Sequence, residues 1–285
     1  MIHKLQCPAK INLYLHITGK DDCGYHRLDS LVAFIPDLFD VITISENQET
    51  EDIIKVQGQW AAEITEDNIL LKVLELMKPF LAKQKFTITL NKNIPIGAGL
   101  GGGSSNASNL LQFLVQFYAP FLSITEQINL ASKIGADVSL FFDKSALYAM
   151  GIGNVIQKVE KFPTNLHALL IYPNLGLSTK KIYEHGFKEY ATRILHEYQF
   201  DSSRNLISFL DQTSNMLYPN SLALMPTLSE ILLSLKTSKG CLFTRMSGSG
   251  STCFGLFDDH HLLDIAYQNM LKQYKTFTII KSRVV

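Results

Sequence analysis

The sequence predicts an α+β fold. Segments with the two-residue alternation of strands and segments with the three-to-four-residue spacing of helices mix along the chain, without the regular βαβ rhythm of a doubly wound sheet. A patterned strand, a glycine-rich loop and a patterned helix follow one another at residues 85–118, and a second glycine/serine loop near residue 250 leads into another strand. The 285 residues suffice for one large or two ordinary domains. A coarse boundary falls near Gly151–Pro163, dividing residues 1–158 from 159–285.

In Lys10–Thr18, Ile11, Leu13, Leu15 and Ile17 alternate with polar neighbours, so a strand there places Lys10 and Asn12 on one face. Gly19–His26 is a turn-rich loop. Leu28–Ile44 is strand-like in content and broken at Pro36. Glu46–Asp52 is polar and reads as a hairpin or a surface loop. Asn68–Lys78 has helical spacing, with Asp67 or Asn68 near its start. Ser123-Ile-Thr-Glu126 matches a capping box, and Gly135 ends the helix that follows. Beyond the boundary, Leu166–Tyr172 reads as a strand, Thr179–Phe187 as a helix start and Ser202–Leu210 as another helical piece. Met246–Phe257 is a loop feeding a strand, helical spacing returns at Leu262–Met270, and Thr276–Lys281 closes as a strand.

The central stretch is Pro95–Asn109. Phe86, Ile88 and Leu90 alternate into it; Ala107, Leu110, Leu111, Leu114 and Tyr118 leave it at helical spacing. Ser104 or Ser105 is the expected N-cap. Such a junction leaves backbone N–H groups unpaired beside the positive end of a helix dipole, and glycine lets that backbone approach an anion closely. A phosphate chain is the matching ligand. Gly97, Gly99 and Gly102 satisfy G-x-G-x-x-G, but no acidic residue follows until Glu126, which disfavours a dinucleotide fold. No Gly-Lys-Ser/Thr follows the glycines, so a Walker A loop fails as well. A flexible linker is not flanked by a patterned strand and helix.

Zero formal net charge argues against a dedicated nucleic-acid or membrane-surface binder. Cys7, Cys23, Cys241 and Cys253 lie far apart, suggesting free thiols rather than zinc or a disulfide framework. Asn12 and His16 interrupt the first apolar run, which lacks a signal-peptide h-region, and no stretch is long enough to span a bilayer. A cytoplasmic location is expected.

Pro8-Ala-Lys-Ile-Asn-Leu13, Gly24-Tyr25-His26, the loop Pro95–Ser105, Gly135-Ala-Asp-Val138 and Ser247-Gly-Ser-Gly250 occur together at compatible spacing. The combination resembles the GHMP kinase superfamily, and within it the 4-diphosphocytidyl-2-C-methyl-D-erythritol kinases of the non-mevalonate (MEP) isoprenoid route. The resemblance implies a ribosomal-protein-S5-like N-terminal domain and a ferredoxin-like C-terminal domain, with the site between them. It also implies ATP-dependent phosphorylation of the 2-hydroxyl of a cytidine-diphosphate-linked sugar alcohol, with ATP and Mg²⁺ as cofactors. The expected assembly is a monomer or a weak homodimer, without nucleic-acid or membrane partners.

Carried onto this chain, the resemblance makes Asp137 the acid/base that accepts the proton of the attacking hydroxyl, and Lys10 the active-site lysine beside it. A carboxylate with an ordinary pKa of about 4 needs that cation to serve an alcohol. Taken alone, Lys10 reads as a solvated strand residue and Asp137 as a turn. The backbone of Pro95, Ile96, Gly97, Ala98, Gly99, Leu100, Gly101, Gly102, Gly103, Ser104 and Ser105 would wrap the ATP phosphates, the serines adding hydrogen bonds or reaching Mg²⁺. Asn68 and Lys92 would contact the adenosine end. Tyr25 and His26 resemble a cytidine-recognition pair, Tyr183 a second aromatic stacker, and Asn12 a substrate-orienting residue. Ser247, Gly248, Ser249 and Gly250 either close over the substrate diphosphate or form a tight turn. Two departures stand out: Cys23 replaces an Asp before Gly-Tyr-His, and Leu206 replaces the acid of an Asn-Asp pair.

Overall fold

A computed structural model describes all residues except 65–67, 193, 195 and 198. Asp67, one of the two expected starts of the first helix, lies outside the described residues. The chain forms two compact units, each discontinuous in sequence. One comprises Met1–Ala9, Leu38–Ile96 and Gly101–Asp143; the other comprises Lys10–Asp37, Gly97–Leu100 and Lys144–Val285. Strands β1 (Ile2–Lys20) and β2 (His26–Asn47) run through both.

In the first unit, the end of β2 pairs antiparallel with β4 (Lys85–Asn91), Ile44 opposite Ile88, and β3 (Ile53–Gln57) pairs parallel along β4. Phe86, Ile88 and Leu90 are buried in alternation, as the sequence pattern requires. They share a core with Leu70, Val73 and Met77 of α1 (Ile69–Met77), Leu110, Leu111 and Leu114 of α2 (Gly102–Tyr118), and Ala131 and Ile134 of α3 (Ile124–Ile134). The expected capping box at Ser123 and Glu126 starts α3.

In the second unit, the start of β2 pairs with β5 (Leu147–Gly151), and β5 with β6 (Val155–Lys158). A four-stranded antiparallel sheet has the order β10 (Thr278–Arg283), β7 (His167–Tyr172), β9 (Cys253–Phe257), β8 (Phe243–Met246). Its core takes Ile231 and Leu235 from α7 (Thr227–Lys236) and Leu263, Ala266 and Met270 from α8 (His260–Gln273). Three shorter helices complete the unit: α4 (Thr179–Glu184), α5 (Ser203–Leu210) and α6 (Tyr218–Leu224).

Three local expectations are corrected. Strand β2 is not broken at Pro36. That residue falls between the stretch registered with β5, which ends at Val32, and the stretch registered with β4, which begins at Val41. A missing N–H costs no bond of either ladder there. Helix α2 is capped by neither Ser104 nor Ser105: Gly101, at φ +68°, turns the chain so that Gly102 already enters the helix. And the polar side of β1 is not solvated, because Cys7–Ile17 is buried throughout.

Candidate active site

Strand β1 delivers Lys10 and Asn12, only 4% and 5% exposed, from one face as the alternation predicts. A buried ammonium requires an acceptor. Lys10 Nζ donates to Asn12 Oδ1, whose Nδ2 donates to Ser30 Oγ at 2.9 Å. The Lys10 amide donates to the Leu100 carbonyl at 3.0 Å, tying β1 to the glycine loop. Ser247 supplies a second tie: its Oγ accepts from the Asn12 amide at 3.1 Å and donates to the Gly99 carbonyl at 2.9 Å. Leu177 and Thr252 amides hold the Gly97 and Ala98 carbonyls. The space left to this loop is small: a Cβ on Gly99 (φ +76°) would stand 2.1 Å from the Ser247 carbonyl oxygen.

Residues Ser247–Gly250 form a turn in which the Gly250 amide donates to the Ser247 carbonyl. It lies against the β1 pair, since a Cβ on Gly248 would be 3.1 Å from Asn12 Oδ1 and 3.6 Å from Lys10 Nζ. Asn215 holds the turn, donating through Nδ2 to the Met246 and Gly248 carbonyls at 2.8 and 2.7 Å, and Ser249 Oγ shares a hydrogen bond with Thr179. Asn215 carries no sequence signal of this role, because its partners are backbone oxygens remote in the chain.

The first turn of α2 belongs to the other unit. No side chain caps it, so its leading amides stay open to an outside acceptor. Ser105 is fully buried and its Oγ has no hydrogen-bond partner among the described residues; the same holds for Asn106 Oδ1. Space in front of Gly103 is open, with nothing within 4 Å of an added Cβ. An uncapped helix start, glycines at positive φ and an unsatisfied buried hydroxyl fit a phosphate chain. Pro95 is buried and Ile96 half-buried where the chain enters the loop, and Ser104 is half-buried in the first turn of α2.

Asn68 and Lys92 have structural duties. Asn68 caps α1, Oδ1 accepting from the Leu70 amide at 3.0 Å. Lys92 is 3% exposed and its ammonium is bound by Asp40, which also accepts from the Asn93 and Ile94 amides at 2.7 and 2.8 Å. Asp40 lies in a strand-like stretch, and its partners 52–54 residues away give it no local sequence signal. Asp137 is half-buried in the turn between α3 and the 3₁₀ turn Ser139–Phe142. Two bonds steady that region: Lys72 Nζ to the Ile134 carbonyl (2.8 Å) and Gln112 Nε2 to the Phe141 carbonyl (3.1 Å).

His26 and Tyr183 meet across a cavity of about 580 Å³ lined also by Lys20, Lys180, Glu184 and Phe187. The His26 ring lies 5.1 Å from the rings of both Tyr183 and Phe187. Burial, aided by the Lys20 charge, holds the His26 imidazole below its usual pKa, which favours the neutral ring. Tyr25 is 67% exposed and is not among the lining residues. Asp21 organises that loop, its carboxylate accepting from the Cys23 and Tyr25 amides at 3.0 and 2.8 Å, so Cys23 does not leave it without an acidic acceptor.

The family model described as GHMP kinases N terminal domain matches residues 68–145, and that described as GHMP kinases C terminal matches residues 202–276. The 4-diphosphocytidyl-2-C-methyl-D-erythritol kinase of Anaplasma phagocytophilum (strain HZ) is 30% identical over 99% of this chain and 94% of the relative. That of Chelativorans sp. (strain BNC1) is 34% identical over 90% and 87%. A crystal structure of 4-(cytidine 5'-diphospho)-2C-methyl-D-erythritol kinase matches with a TM-score of 0.77 and 25% identity, covering 99% of both chains. The chain therefore belongs to the 4-diphosphocytidyl-2-C-methyl-D-erythritol kinase family and is a small-molecule kinase. No helix among the described residues is long and apolar enough to cross a membrane.

Proposed function

We propose that this chain transfers a phosphoryl group from ATP to the 2-hydroxyl of 4-diphosphocytidyl-2-C-methyl-D-erythritol, giving the 2-phosphate and ADP, a step of isoprenoid precursor synthesis by the non-mevalonate route. The observation that carries the reading is the double tie of the Lys10–Asn12 strand to the glycine loop, through Leu100 and through Ser247. It makes the position of one catalytic group depend on the phosphate-binding backbone.

When bound, Mg²⁺-ATP supplies the phosphoryl group and part of the charge neutralisation. The chain does the positioning. The amides opening α2 and the positive-φ glycines before it bind phosphate oxygens, and the serine hydroxyls add hydrogen bonds or reach magnesium. A helix N-terminus contributes about 0.3–2 kcal/mol to an anion, so several amides must act together. Lys10 presents its ammonium to the transferring group, with Asn12 orienting it, and Asp137 accepts the proton of the attacking hydroxyl at a carboxylate oxygen. His26, Tyr183 and Phe187 receive the cytosine, a neutral imidazole pairing with its edge, and Tyr25 closes from the exposed side. The same reading keeps residues 1–158 as the N-terminal, ATP-binding domain and 159–285 as the C-terminal domain, in a cytoplasmic monomer or weak homodimer.

A coupled ADP-release assay with Mg²⁺-ATP tests the reading. The cytidylated alcohol is expected to turn over, and methylerythritol phosphate, homoserine and mevalonate are not. Turnover of a bare alcohol alone would discard the cytidine pocket; ATP binding without turnover of any would discard the reaction.

A further inference from the structure

We propose that Ser30 is a positioning residue for the phosphoryl transfer, acting through Asn12 on the ammonium of Lys10; this rests on the role given to Lys10 above. Ser30 lies on β2, 1% exposed, with Oγ 2.5 Å from the Tyr14 carbonyl oxygen and 2.9 Å from Asn12 Nδ2. A hydroxyl carries one proton and a carbonyl carries none. The Ser30 proton is therefore committed to Tyr14, and towards Asn12 the hydroxyl can only accept. Only the NH₂ end of the Asn12 amide satisfies that acceptor, so Oδ1 is left facing Lys10 Nζ. The two ends of an amide are nearly the same shape, so packing does not choose between them. The donor-only ammonium on one side and, on the other, a chain of polarity that begins at a backbone carbonyl do.

The main chain of Asn12 is locked in the same way. Its amide donates to Ser247 Oγ, whose proton goes to the Gly99 carbonyl. Ser247 thus fixes where Asn12 sits, and Ser30 fixes which way its side chain is polarised. Without the Ser30 hydroxyl, the buried NH₂ loses its acceptor, and the amide is held against a flip from the Lys10 side alone. A flipped amide would turn donors against the ammonium in a site 4–5% exposed, and the ammonium would leave the position the transferring group needs.

The test is a kinetic cycle. Ser30→Ala is expected to lower kcat by roughly tenfold to a hundredfold, with KM for ATP within about twofold, and Ser30→Thr, which keeps the hydroxyl, is expected to recover most of the loss. In an Asn12→Ala background the further change Ser30→Ala is expected to alter kcat by less than about twofold, because the group it acts through is gone. Wild-type kcat in Ser30→Ala, or its full penalty persisting without Asn12, would overturn the proposal. If the wild type fails to phosphorylate the cytidylated alcohol, the reaction assigned above falls, and the inference is read by NMR instead. The Asn12 side-chain amide protons, assigned by their loss in Asn12→Ala, should exchange slowly in the wild type and fast in Ser30→Ala; equal exchange overturns it.

Discussion

The ammonium of Lys92 is paired with the Asp40 carboxylate in a site where both side chains are almost wholly buried, and it lies under the first residue of α2: a Cβ on Gly102 would stand 2.7 Å from Nζ. A cation at the positive end of a helix is unfavourable by itself, and burial pushes the Lys92 ammonium below its usual pKa against the opposing pull of Asp40. Asp40 is what keeps the charge in place. Asp40→Asn leaves that charge uncompensated and is expected to cost about 3–5 kcal/mol in urea denaturation. A loss under about 1 kcal/mol would show that the pair contributes no more than a surface ion pair.

Two glycines of the 95–105 loop separate conformation from space. Gly99 has φ +76° and its Cβ would collide with the Ser247 carbonyl, whereas Gly103 is helical and faces open space. Gly99→Ala is expected to break the tie between loop and turn, weakening ATP binding by roughly tenfold or more. Gly103→Ala should raise stability by about 0.5–1 kcal/mol, since alanine is the better helix former. A fall in ATP affinity in that stabilised variant would place the phosphates in front of the helix. Unchanged affinity in both variants, measured by titration calorimetry, would remove the cradle.

Much of this was legible before the structure, where one segment carries its own physics. The strand–loop–helix unit at 85–118 announces itself by two periodicities and a glycine run, and Ser123–Glu126 by a reciprocal cap. What was not legible depends on partners distant in sequence. The burial of Lys10 follows from both faces of β1 being covered, which a polar/apolar alternation misreads as half-solvated. Asp40, Asn215 and Ser30 bind backbone or side chains that no local pattern connects to them. Helix α6 and strands β3, β5 and β6 are too short to express a period, whereas the Leu228, Ile231 and Leu235 spacing of α7 was there to be read.

The Tyr183 ring stands beside His26 and Phe187 at the cavity. If that cavity receives cytosine, Tyr183→Ala should raise KM for the cytidylated substrate roughly tenfold, equivalent to a base–aromatic stack of about 1–3 kcal/mol, while KM for ATP stays put. Steady-state kinetics with each substrate varied separately checks this. A rise in KM for ATP instead would assign the cavity to the nucleotide donor.

Asp37 ties β2 to β10. Its carboxylate accepts from Arg283 Nη2 and from the Arg283 amide, both at 3.0 Å, and Ser282 Oγ donates to it at 3.2 Å. The Arg283 hydrogen bonds hold the Asp37 carboxyl below its usual pKa, outweighing the opposite effect of burial. A folded-state pKa below the unfolded one means that the folded chain binds fewer protons. The contribution to stability is therefore complete above the ordinary carboxylate value and lost as pH falls through the folded value. Asp37→Asn should lower Tm at pH 7, and the gap to the wild type should narrow as the pH is taken to about 3. Because the carboxylate is 42% exposed, salt should shrink the gap at neutral pH too. A gap that is the same at both pH values would mean that the link acts through packing at the strand edge and not through the charge on Asp37.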